Sequence, residues 1–324
     1  MTTLVTGAFG CLGAEVVRQL LAEGERPVLL DFGDDPWRLR MIAGRDVTER
    51  VPVIRADVAE LADLARIVRE HDVRRMIHLA AWQIPLCRRD PSMGARVNVV
   101  GTANALEVAR LADGRVERVV YMSSIAVYGP PHLYPPGPLA NDAPPHPTTH
   151  YGVYKVANEG TARVHWAEHR VPSIGFRLPA IYGPGRDVGL TADPTLAMKA
   201  ALLERKFAIR WSGRSALLYT KDAAASIIRA SRSTVDGARV YNLRGSSVDN
   251  ADIVPAIERA WPAAKGLVTW GGDPVPFPDS LDDSRFQAEV GPVPVTPFDD
   301  GVRETMETFA RLQQEGRLDA RELA

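Results

Sequence analysis

Three glycines, in the run Gly7-Ala-Phe-Gly10-Cys-Leu-Gly13, constrain this chain more than any other feature. They stand between a β-branched run, Thr2–Thr6, and an amphipathic stretch from about Cys11 to Glu23. Glycine allows the backbone to reverse sharply and lets a second group approach it at contact distance. A helix starting on such a turn presents unpaired N–H groups and the positive end of its dipole, a ready seat for phosphate. The next strand-like run, Pro27–Asp31, ends on a carboxylate eighteen positions past Gly13, placed to accept hydrogen bonds from ribose hydroxyls. Strand, glycine turn, helix and acidic strand end, in this order, read as a dinucleotide site.

The alternation continues. Further strands are expected at Val51–Arg55, Arg75–Leu79, Arg118–Met122 and Ser173–Arg177, with helices at about 60–70, 92–112 and 151–170. Repeated β-then-α order implies right-handed crossovers and a parallel sheet covered on both faces. The fold class is therefore α/β, a Rossmann-type doubly wound sheet. Past Arg177, helices near 194–205, 220–231, 250–260 and 299–315, with a strand at Ala238–Leu243, suggest a smaller C-terminal α/β lobe. We expect residues 1–178 to form the dinucleotide-binding domain and 179–324 a substrate lobe, the chain interleaved between two packed units. The proline-rich stretch 129–147 reads as a stiff loop beside the site, or as a linker.

Composition bounds the function. With 45% hydrophobic and 24% charged residues and a net charge of -1, no field recruits nucleic acid or anionic membrane. Cys11 and Cys87 have neither metal-type spacing nor a disulfide framework, which fits a reducing cytoplasm. The apolar stretch Leu4–Ala22 carries Glu15, Arg18 and Gln19, so it reads as strand, turn and helix rather than leader peptide. No uninterrupted apolar run is long enough for a bilayer. His165 and His169 share a helix face without a third ligand, and His78 lies inside an apolar strand, so no metal is expected.

Tyr151 and Lys155 are four apart, on one helix face. A phenol ionises near pH 10, but a neighbouring ammonium favours the phenolate, which can then take a proton from an alcohol. Ser124, at the end of the fifth strand, is placed to hold the substrate oxygen, while Ser123 faces the other side and caps or packs. Tyr154 points elsewhere. Trp82 and Gln83, after the fourth strand, and His150, beside the base, are candidate substrate contacts; Arg88 and Arg89 read as a solvated helix start. Asp31 favours NAD over NADP, because a 2′-phosphate about 4 Å away would be repelled by roughly 4 kcal/mol per charge pair. Arg38 and Arg40 are too far along to offset this fully. Asp57 with Val58 meets the adenine amino group, or Asp57 caps a helix over Ala59–Arg69.

Together these residues resemble the extended short-chain dehydrogenases, the NAD-dependent epimerase/dehydratase group. The resemblance runs through TGAFGCLG, Asp31, Asp57, HLAA at 78–81, Asn98, SSIAVYG at 123–129 and YGVYK at 151–155. It continues through RLPAIYGPG at 177–185, YTKDAA at 219–224, YNLRG at 241–245 and DDSRFQAEVG at 282–291. It implies Ser124, Tyr151 and Lys155 as the catalytic set. It places NAD on Gly7, Gly10, Cys11, Leu12, Gly13, Asp31, Asp57, Val58, Leu79, Ala80, Ala81, Asn98, Lys155, Pro179 and Ile181, and implies a homodimer through the helices at 92–112 and 151–170. Departures bear on substrate. Ile125 and Ala126 stand where dehydratases carry an acidic pair, Ala180 where nucleotide-sugar enzymes often carry Asn, and Ser215 where they carry a diphosphate-binding Arg. Arg214 and Arg186 are the available substitutes. The expected activity is hydride transfer at a secondary alcohol of a small sugar, polyol or hydroxy acid. The alternatives are a nucleotide-sugar epimerase and a non-catalytic NAD-binding protein.

Overall fold

The computed structural model describes residues 1–293 and 295–323. Twelve strands form three sheets among the described residues: β1 (Thr2–Thr6), β2 (Val28–Asp31), β3 (Val53–Arg55), β4 (Val73–His78), β5 (Arg118–Met122), β6 (Ser173–Arg177), β7 (Ala180–Tyr182), β8 (Phe207–Ile209), β9 (Arg214–Tyr219), β10 (Ala238–Asn242), β11 (Ser246–Asp249) and β12 (Val268–Trp270). The principal sheet runs β3-β2-β1-β4-β5-β6-β10, parallel throughout. Its order reverses between β1 and β4, and in such sheets ligands settle in the crevice at the strands' carboxyl ends beside that reversal. The expected α/β doubly wound class is what the chain adopts.

Period-two alternation in β1 sends neighbouring side chains into different cores. Val5 joins Ala14, Val17, Leu20, Ile174 and Ile227 on one face of the sheet. Leu4 joins Ile67, Met76, Leu106 and Val119 on the other. Both faces are thus sealed by helices, which explains why these strands read as apolar runs. A third core gathers Trp211, Ile253, Val302 and Phe309 around β9, where the small sheet β7-β9-β11 and the pair β8-β12 sit.

Two of the expected elements change character. The helix expected over 92–112 is three pieces, Pro91–Ala95, a π-helical turn Arg96–Val100, and Gly101–Leu111. The wide turn carries Asn98 into the interior, where its Nδ2 donates to the Trp82 and Gly94 carbonyls. The proline-rich stretch is packed, since His146 N–H bonds Val127, and Asn141 both donates to the Val240 carbonyl and receives Arg177. It is a strap across the sheet edge, not a linker. No described helix is long and apolar enough to cross a membrane.

Candidate active site

The glycine turn is built by contact. Gly7 has φ +66°, and a Cβ there would lie 2.6 Å from the Ala80 nitrogen on the loop after β4. A Cβ on Gly13 would lie 2.2 Å from the Gly7 carbonyl oxygen, so these two positions admit glycine alone. Gly10 differs. A Cβ there meets only the Gly7 carbonyl, at 3.2 Å, leaving its other side open. The Cys11–Ala22 helix starts here with no side-chain cap among the described residues, so its first amides, at Cys11 and Leu12, lack a side-chain acceptor. Asp31 closes the end of the groove, its carboxylate accepting N–H bonds from Phe9 at 2.8 Å and Gly33 at 2.9 Å. An uncapped helix start, an open cradle at Gly10 and an oriented carboxylate fit a dinucleotide. Arg38 is committed to Asp187 at 2.5 Å, which leaves it unavailable to a 2′-phosphate.

Asp57 is held by the Ala59 N–H at 2.9 Å and by Arg96 at 3.0 Å. The helix expected from Ala59 begins at Leu61 with Glu60 as its N-cap, so Asp57 shapes the preceding turn rather than capping the helix. Val58 is buried against Gly101, and the Leu79 N–H bonds the Thr6 carbonyl, which brings Ala80 alongside Gly7, with Ala81 next in the chain. Asn98 holds the loop that follows β4, and its buried Oδ1 has no partner among the described residues. Pro179 and Ile181 follow β6, anchored where the Ile125 N–H meets the Leu178 carbonyl at 2.8 Å.

The catalytic candidates come from two elements locked together. Ser124 leaves the carboxyl end of β5 and accepts the Ala126 N–H at 3.1 Å, capping a short 3-10 turn. The His150–His169 helix starts on Thr149, whose hydroxyl accepts the Gly152 N–H. Gly152 presses on the 3-10 turn so closely that a Cβ would lie 2.1 Å from the Ala126 carbonyl. Sequence reasoning missed Gly152, although a glycine inside a helix's first turn is itself a signal of close approach. This contact brings Tyr151 to Ser124. Lys155 is buried one turn on, its Nζ 5.2 Å from the Tyr151 ring centre. Ser123 faces away and donates to Glu159 at 2.6 Å, and Tyr154 donates to the Pro91 carbonyl at 2.8 Å.

Electrostatics departs from expectation. Burial pushes Tyr151 up to about 12, opposed by hydrogen bonding from Ser124 and the Arg186 charge. Burial likewise pulls Lys155 down to about 8. His78, enclosed beneath the site, falls to about 3 through burial and the Lys155 charge, and its Nδ1 pairs with the Thr6 hydroxyl at 2.8 Å. Desolvation thus dominates all three groups.

On the substrate side, a cleft of about 450 Å³ is lined by Ile84, Arg88, Thr149, His150, Tyr151 and Val153. Gln83 caps the Ile84–Arg89 helix backbone and its amide oxygen receives Arg186. Trp82 offers its carbonyl to Asn98 and Cys87. Arg88 and Arg89 lie in that helix's last turn, not its first. Arg214 is exposed at the start of β9, on Ser247 and Asp279, and is not brought to Tyr151.

The model of the NAD dependent epimerase/dehydratase family matches residues 3–243. The chain belongs to this family. Its cofactor is NAD, and the family's enzymes are epimerases and dehydrogenases of the extended short-chain type. A UDP-glucose 4-epimerase from Mycolicibacterium smegmatis is 30% identical over 97% of this chain and 100% of its own. A D-erythronate dehydrogenase from Cupriavidus necator is 28% identical over 83% of this chain and 85% of its own. Among solved structures, an L-threonine dehydrogenase from Cupriavidus necator superposes with TM-score 0.81 at 25% identity, over 96% of this chain and 100% of its own. Family membership therefore spans epimerisation and dehydrogenation, and the choice rests on the site.

Proposed function

We propose that this chain is a dehydrogenase acting on a secondary alcohol of a small sugar, polyol or hydroxy acid. The observation that carries the reading is the junction of Ser124, Tyr151 and Lys155 at the carboxyl edge of β5, with the buried, uncharged Ile125 and Ala126 immediately behind Ser124. Dehydration needs an acid and a base there, and neither is present. Gly7, Gly10, Gly13, the amides of Cys11 and Leu12, and Asp31 hold the dinucleotide, with Asp57, Val58, Leu79, Ala80, Ala81, Asn98, Pro179 and Ile181 around it. NAD held there would supply the hydride acceptor and a positive charge. Ser124 positions the alcohol oxygen and Tyr151 removes its proton. Moving a phenol from about 12 to a working value near 8 takes about 5 kcal/mol of preference for the phenolate, which positive charge must provide. Burial of Lys155 excludes water, so its charge is weakly screened.

The kinship to UDP-glucose 4-epimerases favours a second reading, epimerisation with the cofactor returned to its starting state. Ala180 and Ser215, in place of the residues that meet a nucleotide diphosphate, argue against it. Supplying candidate alcohols and watching for NADH separates the two, because only a dehydrogenase accumulates it. Tyr151→Phe is expected to lower turnover by about 10²–10⁴ with NAD affinity kept; unchanged turnover removes Tyr151 as base. The reading extends to a dinucleotide-binding unit over residues 1–178 and a smaller lobe over 179–324, with the chain interleaved between them so that β10 completes the principal sheet, and to a cytoplasmic location and a homodimer. Val100, Leu111, Val153 and Val164 are exposed apolar residues on the helices proposed to pair.

A further inference from the structure

Arg186 carries a charge that the described residues leave unbalanced. It lies on the segment between β7 and the 3-10 turn Leu190–Ala192, a segment shaped by glycines at positive φ, Gly183, Gly185 and Gly189. Its Nη1 donates to the Gln83 amide oxygen at 3.2 Å and its Nη2 to the Thr191 hydroxyl at 3.1 Å. Both partners are neutral. Its Nε is enclosed and has no hydrogen-bond partner among the described residues. The adjacent carboxylate, Asp187, is taken by Arg38. A desolvated guanidinium held by neutral groups, with donors to spare, is costly unless an anion from outside completes it.

The position narrows the anion. Gly185 packs beside Cys11 of the glycine turn, and the Arg186 charge acts on both the Cys11 thiol and the Tyr151 phenol. Arg186 therefore follows a residue packed on the dinucleotide seat, and its charge reaches the base. Through Gln83 it is tied to the Ile84–Arg89 helix, which walls the cleft that Tyr151 also lines. Gln83 is fixed in turn, because with its amide oriented to satisfy both neighbours it donates to the Val188 carbonyl at 3.1 Å. The guanidinium fork is thus preset next to the helix whose Ile84 and Arg88 line the cleft, and a planar carboxylate is the group such a fork takes in two-pronged fashion.

We infer that the substrate is a hydroxy acid whose carboxylate is held by Arg186 while Tyr151 and Ser124 hold its alcohol. The inference rests on the dehydrogenase reading for the alcohol, but the carboxylate contact is testable by binding alone. Lactate, threonate and gluconate, each against the neutral polyol of equal length (propane-1,2-diol, threitol and sorbitol), are titrated into the NADH-loaded protein by calorimetry. Wild type is expected to bind at least one acid at least about 30-fold tighter than its polyol. Arg186→Gln is expected to erase that difference, and Arg186→Lys to retain part of it, with all three showing the same far-ultraviolet dichroism. Should Arg186→Gln misfold, Gln83→Ala and Thr191→Val, which loosen the fork without removing its charge, are expected to weaken acid binding by about 3- to 10-fold.

Equal affinity for acid and polyol in wild type overturns the inference. So does a variant that loses NAD affinity about 10-fold while keeping acid affinity, since the guanidinium then serves the dinucleotide's pyrophosphate. Acid binding that depends on Arg186 without NADH formation from NAD and any of the acids would leave this inference standing and sink the dehydrogenase reading instead.

Discussion

Replacing Lys155 by methionine tests how the phenol is made basic. With its Nζ 5.2 Å from the Tyr151 ring centre, an ammonium contributes about 332/(20 × 5.2), or roughly 3 kcal/mol, to the phenolate. That is about two pKa units, close to half of the drop from about 12 that catalysis near pH 8 requires. Lys155 itself loses its proton near 8, because burial disfavours its charged form. Its help is therefore present below about pH 8 and fades above it. The assay is kcat/KM against pH from 6 to 10 for both proteins, with NAD affinity measured alongside to remove any binding loss. The expected ratio of wild type to Lys155→Met is about 10² at pH 7 and falls toward unity above pH 9. A ratio constant across the range would refute the electrostatic account and make Lys155 a positioning residue.

Other consequences are independent of that one. Gly13→Ala forces a Cβ to 2.2 Å from a backbone oxygen and should lower Tm by at least about 5 °C, whereas Gly10→Ala should leave Tm within about 2 °C yet weaken NAD binding at least about 10-fold, both read by thermal melts and NAD titration. Asp31→Ser removes the carboxylate held by Phe9 and Gly33 and should narrow the NAD-over-NADP affinity ratio by at least about 10-fold, measured by titrating each dinucleotide. His78 is bound neutral in the folded chain, with its value depressed from 6.5 to about 3, so the unfolded chain takes up more protons as pH falls through that window. Stability should accordingly drop by about 2 kcal/mol between pH 7.5 and 5 on this account, and His78→Gln should flatten that slope in urea titrations at the two pH values.

The glycine turn, Asp31 and the principal strands were legible because each follows from a local rule: φ freedom, contact distance or two-residue alternation. Thr2–Thr6, Arg118–Met122 and Ser173–Arg177 match their strands residue for residue. What local rules do not encode came out differently. The π turn at Arg96–Val100 depends on Asn98 reaching carbonyls on another loop, sixteen residues back in the case of Trp82. The short strands β7, β8, β11 and β12 take their partners from distant segments, and three to four residues carry too little periodicity to announce them. The Tyr–Lys pair was readable, but the direction of the Tyr151 shift was not, since burial is a property of the assembled site. Arg186 stood out in the sequence only as one arginine of two. Its value lies in what surrounds it.

Strand β10 has a consequence beyond the site it borders. It comes from the second half of the chain yet hydrogen-bonds along the whole of β6, from Ser173 to Arg177. Cutting the gene after residue 178 would therefore leave β6 as a naked, apolar border with a row of unsatisfied amides, a surface that recruits other chains. A truncated cofactor-binding half should precipitate rather than serve as a minimal module, and anyone wishing to graft new specificity must exchange the loops around Arg186 within the intact chain.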